Sequence, residues 1–120
     1  MTAEAFRRAA LALPGAIERE HMHHPDFRVG NRIFATLGYP DAAWGMVTLP
    51  PDEQQRLIEA MPGAFAPAAG AWGRKGSTLV RLEAAKPQVM THALEMAWRM
   101  AQAKHGSKSA SQRVGKSAIE

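Results

Sequence analysis

Residues 21–37 read His-Met-His-His-Pro-Asp-Phe-Arg-Val-Gly-Asn-Arg-Ile-Phe-Ala-Thr-Leu, the densest local pattern in the chain. Val29-Gly30-Asn31-Arg32 is a turn signal, because glycine and asparagine tolerate the positive φ that tight hairpins demand. Phe27-Arg28-Val29 before it and Ile33-Phe34-Ala35-Thr36-Leu37 after it are rich in β-formers. The pattern predicts a β-hairpin with Gly30-Asn31 at its tip and Arg28 and Arg32 beside the tip. Pro25 cannot donate to a strand ladder, so it belongs at a strand edge or start. The two arginines suit a phosphate backbone and equally suit solvated hairpin ends.

Upstream, Thr2 caps a helix in which Phe6, Ala9, Ala10 and Leu13 form one apolar stripe, and Pro14-Gly15 stops it. Ala16 to His23 alternates loosely and predicts a partly exposed strand, with Ile17, Arg19, His21 and His23 on one side. Downstream, Trp44 to Leu49 predicts a strand. Pro50-Pro51-Asp52-Glu53 opens a helix with Leu57, Ile58 and Met61 on its buried side. Phe65-Ala66-Pro67 is short and extended, and Ala68 to Ala71 is a small-residue linker. Trp72-Gly73-Arg74-Lys75-Gly76 reads as a basic turn in which Trp72 anchors into the core or stacks on a base. Ser77 to Leu82 predicts a strand. Pro87 opens a last helix to about residue 104, its methionines (Met90, Met96, Met100) read chiefly as core.

The order of elements is helix, three or four strands, helix, one or two strands, helix. Short connections favour an α+β fold, a mainly antiparallel sheet with N-terminal, middle and C-terminal helices packed on it. A chain of 120 residues makes one domain by the usual size prior, here residues 1–104, with a flexible basic tail expected over 105–120.

Composition narrows the function classes. The chain has no cysteine, which removes disulfides, thiolate metal sites and thiol catalysis. No run of about 18 apolar residues occurs, so no membrane span is expected, and the N-terminus lacks the apolar block of a signal peptide. A cytoplasmic protein is the default. The net charge is +4, but residues 1–103 hold 11 Lys/Arg against 10 Asp/Glu; most of the excess lies in the last 17 residues. A basic pI therefore overstates the case for nucleic acid.

The ordered set Leu13-Pro14-Gly15, Glu18 and Glu20, His24-Pro25-Asp26-Phe27-Arg28-Val29, Ile33-Phe34-Ala35, Phe65-Ala66-Pro67, Gly70 and Trp72-Gly73 resembles the MmcQ/YjbR family of small bacterial proteins. The resemblance runs over roughly residues 3–103. It implies a CyaY-like (bacterial frataxin-like) fold and a DNA-binding role through a "double wing". Frataxin-type iron binding relies on an acidic first helix, and here that helix offers Glu4 beside Arg7 and Arg8, against an iron role.

His21 and His23 share a strand face on this reading and sit beside His24, but a tight metal site needs a third or fourth ligand. No metal or other cofactor is expected. Glu18, Glu20 and Asp26 read as strand surface rather than as acid–base pairs. Gly73-Arg74-Lys75-Gly76-Ser77 lacks P-loop spacing. A non-catalytic protein follows. The lead expectation is double-stranded DNA bound weakly or without sequence specificity, its phosphates contacted by Arg28 and Arg32 on one β-wing and Arg74, Lys75 and Arg81 on a second. The alternative is a non-catalytic module for a protein or small ligand. A monomer is the default.

Overall fold

The computed structural model describes residues 1–114, with side-chain surroundings described through residue 103. Its elements are α1 (Ala3–Leu11), β1 (Ile17–His21), β2 (His24–Val29), β3 (Arg32–Leu37), β4 (Trp44–Thr48), α2 (Pro51–Ala60), β5 (Phe65–Pro67), α3 (Gly70–Arg74), β6 (Ser77–Arg81) and α4 (Pro87–Val114). The six strands form one antiparallel sheet in the order β1-β2-β3-β4-β6-β5. The α+β expectation holds.

The hairpin of residues 27–37 forms as its turn residues dictate. Gly30 and Asn31 have φ of 56° and 65°, the paired left-handed conformation that matches the twist of the flanking strands. The register shifts between Phe27 and Arg28, so Phe34 is an extra residue in β3, and it is fully buried.

Paired residues share a face of the sheet, and this separates two surfaces. Phe27, Ala35, Val47 and Thr78 line up on one, as do Leu37, Gly45, Val80 and Phe65. All of them are buried. This face carries α1 and α4. A Cβ on Gly45 would sit 3.2 Å from the Phe6 ring of α1, so the helix rests directly on β4. Met90, Ala93, Leu94, Ala97 and Ala101 of α4 are buried across β2, β3 and β4. Their 3–4 residue spacing gives the apolar stripe that drives docking.

The opposite face holds Asp26, Thr36, Met46, Leu79 and Ala66 in register, flanked by Ile17, Arg19, Trp44 and Arg81. Trp44, Met46 and Leu79 are half-buried and Ile17, Arg19 and Arg81 exposed, so this is the solvent side of a two-layer sandwich. Thr2 caps α1 through its Oγ1, which accepts the Ala5 N–H at 3.0 Å.

Three local expectations are corrected. The first strand stops at His21, and Met22 and His23 (φ 49° and 68°) turn the chain directly into β2. His23 is therefore in the turn; the residue that shares a face with His21 is His24, its cross-strand partner. The expected linker and basic turn instead hold a short helix, α3, which starts at Gly70 and takes in Trp72, Gly73 and Arg74 of the turn. The last helix is longer than expected, running Pro87–Val114 rather than ending near residue 104. No proline interrupts it, and Gly106 alone costs about 1 kcal/mol in a helix. The remaining residues of the expected flexible tail, 115–120, lie outside the described residues.

Candidate nucleic-acid interface

The antiparallel register sorts the five candidate cations by position. Val29 pairs with Arg32, Ala35 with Val47, and Thr48 with Ser77. The hairpin tip, the end of β4 and the start of β6 thus share one end of the sheet. Arg32, Arg74 and Lys75 lie at that end, all exposed. Arg81 does not join them. It pairs with Trp44 at the other end of β6, four residues and about 13 Å from Ser77. Its guanidinium carbon sits 4.8 Å from the Trp44 ring centroid, a cation–π stack. The reason is chain direction: a strand that starts beside the tip must end away from it.

The second unit is not a hairpin wing. β5 and β6 pair, but α3 connects them and carries the basic residues. Two glycines lock α3 down. A Cβ on Gly73 would lie 1.9 Å from the Ala68 carbonyl oxygen, and one on Gly76 (φ 112°) 1.9 Å from that of Leu49. The buried Gln54 amide of α2 donates to the carbonyls of Gly73 (3.0 Å) and Ser77 (3.1 Å). On this clamped helix Trp72 is 73% exposed. The core-anchoring expectation fails for it, since Gly73 and not Trp72 faces inward. The side chain is left as a flat apolar surface beside two cations.

Arg28 has a different role from Arg32. Its Nε donates to Asp26 Oδ1 at 2.7 Å and its Nη2 to Oδ2 at 3.0 Å. His21 Nδ1 lies 2.7 Å from the same Oδ2. Asp26 is fully buried on the open face beneath these partners, a correction to its reading as strand surface. Burial pushes its carboxyl up, but the hydrogen bonds and charges of Arg28 and His21 outweigh this and hold it below the usual carboxylate range. An ionised carboxylate only accepts, so His21 carries its hydrogen on Nδ1 and leaves Nε2 unused. The His21 and His24 rings meet edge-on at 6.3 Å, and His24 meets Tyr39 likewise at 5.7 Å. Sequence reasoning missed this cluster. Its signal was an acid and a base two residues apart, Asp26 and Arg28, which share a strand face.

Charge is segregated between the two faces. Along β1, Glu18 and Glu20 share the helix-bearing face, where Glu18 accepts from Arg7 at 3.0 Å, while Arg19 and His21 share the open one. The strands of the open face contribute Arg19, Arg28 and Arg81 against Asp26 alone among the described residues. Between the tip and α4 runs an open groove of about 290 Å³ bordered by Arg28, Asn31, Arg32, Ala97 and Met100. Among the described residues no group of three or more His, Asp or Glu side chains is arranged to hold a metal ion, and no helix is long and apolar enough to cross a membrane.

A six-stranded antiparallel sheet with helices on one side and a cationic open side defines a two-layer α+β protein. The YjbR family model matches residues 11–100, and the chain belongs to that family. A similar solved structure is that of Deinococcus radiodurans protein DR2400, which carries a DUF419 domain. It is 17% identical over 88% of each chain, with a TM-score of 0.69, a likeness of fold. No curated protein matches the sequence.

Proposed function

We propose that the protein is a cytoplasmic, non-catalytic DNA-binding protein that holds phosphates at the tip end of its sheet. The observation that carries this reading is the rigid display of Trp72 beside Arg74 and Lys75, with Arg32 of the hairpin at the same end. Cations at fixed spacing hold a phosphate backbone, and an exposed indole stacks on a base or packs against a sugar. Few side chains at this end offer the paired donors and acceptors that read base edges, so binding is weakly sequence-selective. Arg28 and Arg81 have smaller parts than the sequence suggested, because one is engaged by Asp26 and the other stacks on Trp44.

Fluorescence anisotropy with a labelled duplex, at low and near-physiological salt, tests the proposal. The Arg32→Glu/Arg74→Glu double variant is expected to lose binding by at least about 100-fold at low salt, since each reversal replaces a phosphate contact by repulsion. Unchanged binding in that variant overturns the proposal.

A further inference from the structure

The cluster round Asp26, on the β1–β2 side of the open face, has no part in the proposed tip interface. Asp26 is buried with two partners that both reach solvent. A buried ion pair is poor at stabilising a fold, since apolar residues of similar size do as well or better. What such a pair does well is fix the orientation of its partners. Arg28 spends Nε and one Nη2 hydrogen on Asp26, which leaves Nη1 and the other Nη2 hydrogen unused. His21 keeps Nε2. Arg19 stands directly across from Asp26 in the β1–β2 ladder, on the same face, and has no carboxylate within ion-pair distance among the described residues. His24 adds a second imidazole beside His21. Two permanent cations and two imidazoles therefore surround a single carboxylate, and positive charge exceeds negative before either histidine is protonated.

We propose that Arg19, His21 and Arg28 form a site for a terminal phosphate group, with Asp26 as the positioning residue and His24 at its border. His21 Nδ1 and Arg28 Nη2 both lie against Asp26 Oδ2, at 2.7 and 3.0 Å, and Arg19 stands across the ladder from Asp26, so three donor groups gather round one carboxylate and match the three terminal oxygens of a phosphomonoester. A backbone phosphodiester presents only two such oxygens. The same chemistry occurs at the 5′-phosphate end of a nucleic-acid strand and on a free nucleotide. The site adjoins the hairpin tip through Arg28 but is built from other side chains, and its phosphate binding does not depend on duplex binding.

The test is a titration of the isotopically labelled full chain at pH 6 with inorganic phosphate, and in parallel with sulfate, at constant ionic strength, read by side-chain NMR of the histidines and arginines. Saturable shifts centred on His21 and Arg28 are expected. Arg19→Gln, at an exposed position, is expected to weaken binding about tenfold, the loss of one charge-assisted hydrogen bond. Arg56→Gln, on α2 against the far edge strand β5, is expected to change it less than about twofold, since four strand spacings, roughly 19 Å, exceed the screening length of about 10 Å. Asp26→Asn separates positioning from bulk charge. It makes the face more positive, so attraction by charge alone predicts tighter binding, whereas positioning predicts weaker binding. If that variant fails to fold, Arg19→Gln and His21→Gln decide. Non-saturating shifts, or shifts unchanged in both variants, overturn the site. A 5′-phosphorylated oligonucleotide that binds more tightly than its 5′-hydroxyl counterpart upholds the site and assigns it to strand ends; saturable phosphate binding without that preference upholds it and assigns it to free nucleotides.

Discussion

Asp26 and Arg28, two residues apart on one strand, form a bidentate ion pair with Nε–Oδ1 at 2.7 Å and Nη2–Oδ2 at 3.0 Å. Alternation along β2 requires that they share a face, and fork geometry fits both carboxylate oxygens at once. The carboxylate is inaccessible while the guanidinium reaches solvent, so the pair projects one fixed cationic edge outward. Removing the acid leaves Arg28 and His21 without their common acceptor. Asp26→Asn is expected to cost about 2 kcal/mol, less than the figure for a wholly buried pair because both partners can turn to water. Urea unfolding monitored by circular dichroism measures it.

The same carboxylate sets an acid limit. Its ionisation lies below the unfolded value of about 3.9. A carboxyl depressed in the folded state contributes stability above its unfolded value, and loses it as pH falls through the folded value. The stability difference between the native chain and Asp26→Asn is therefore expected to stay level above about pH 5 and to shrink steadily below about pH 4. Urea midpoints at half-unit pH steps from 7 to 3 trace this. A difference that grows as pH falls contradicts the arrangement.

A third prediction concerns the clamp under α3. Gly76 has φ 112° and its missing Cβ faces the Leu49 carbonyl, whose oxygen accepts no room for a methyl group at 1.9 Å. The Gly76 carbonyl also accepts the Leu49 N–H at 2.9 Å and the Thr78 hydroxyl at 2.9 Å. Gly76→Ala must break that contact as well as adopt a disfavoured backbone. A loss of about 3 kcal/mol or more is expected from strain and the displaced hydrogen bonds together. Gly63→Ala is the control: nothing lies within 4 Å of its Cβ position, so stability is expected to change by less than about 1 kcal/mol.

Local chemistry explains which features were legible in the sequence. The tip at Gly30-Asn31 was readable because positive φ at two adjacent residues is a demand that few residue types meet. The turn at Met22-His23 was not, because the same conformation there falls on residues that carry no such mark. That one turn moved His23 out of the strand and put His24 opposite His21. α3 was hidden for the opposite reason. Gly70 and Gly73 oppose helix formation as propensities, yet Gly73 is needed where the helix touches Ala68. The cationic residues were visible, but their neighbours were not: Arg81 was displaced by strand direction, and Arg28 was engaged by an acid that composition alone places on the surface.

The salt dependence of duplex binding distinguishes the tip interface from general attraction by the basic C-terminal residues. Phosphate contacts release counterions, so log K falls with log salt by about 0.9 for each contact with double-stranded DNA. Arg32, Arg74 and Lys75 together predict a slope of about −3. Arg74→Ala is expected to reduce its magnitude by about 1, and Arg81→Ala to leave it unchanged, because Arg81 lies at the far end of β6. Trp72→Ala removes no charge. It is expected to keep the slope and to weaken binding by about 1 kcal/mol at every salt concentration, the contribution of one stacked aromatic. Anisotropy titrations at four salt concentrations separate the two effects. Equal slopes for the native chain and Arg74→Ala assign the attraction to charges elsewhere, and an unaltered affinity in Trp72→Ala removes the indole from the interface.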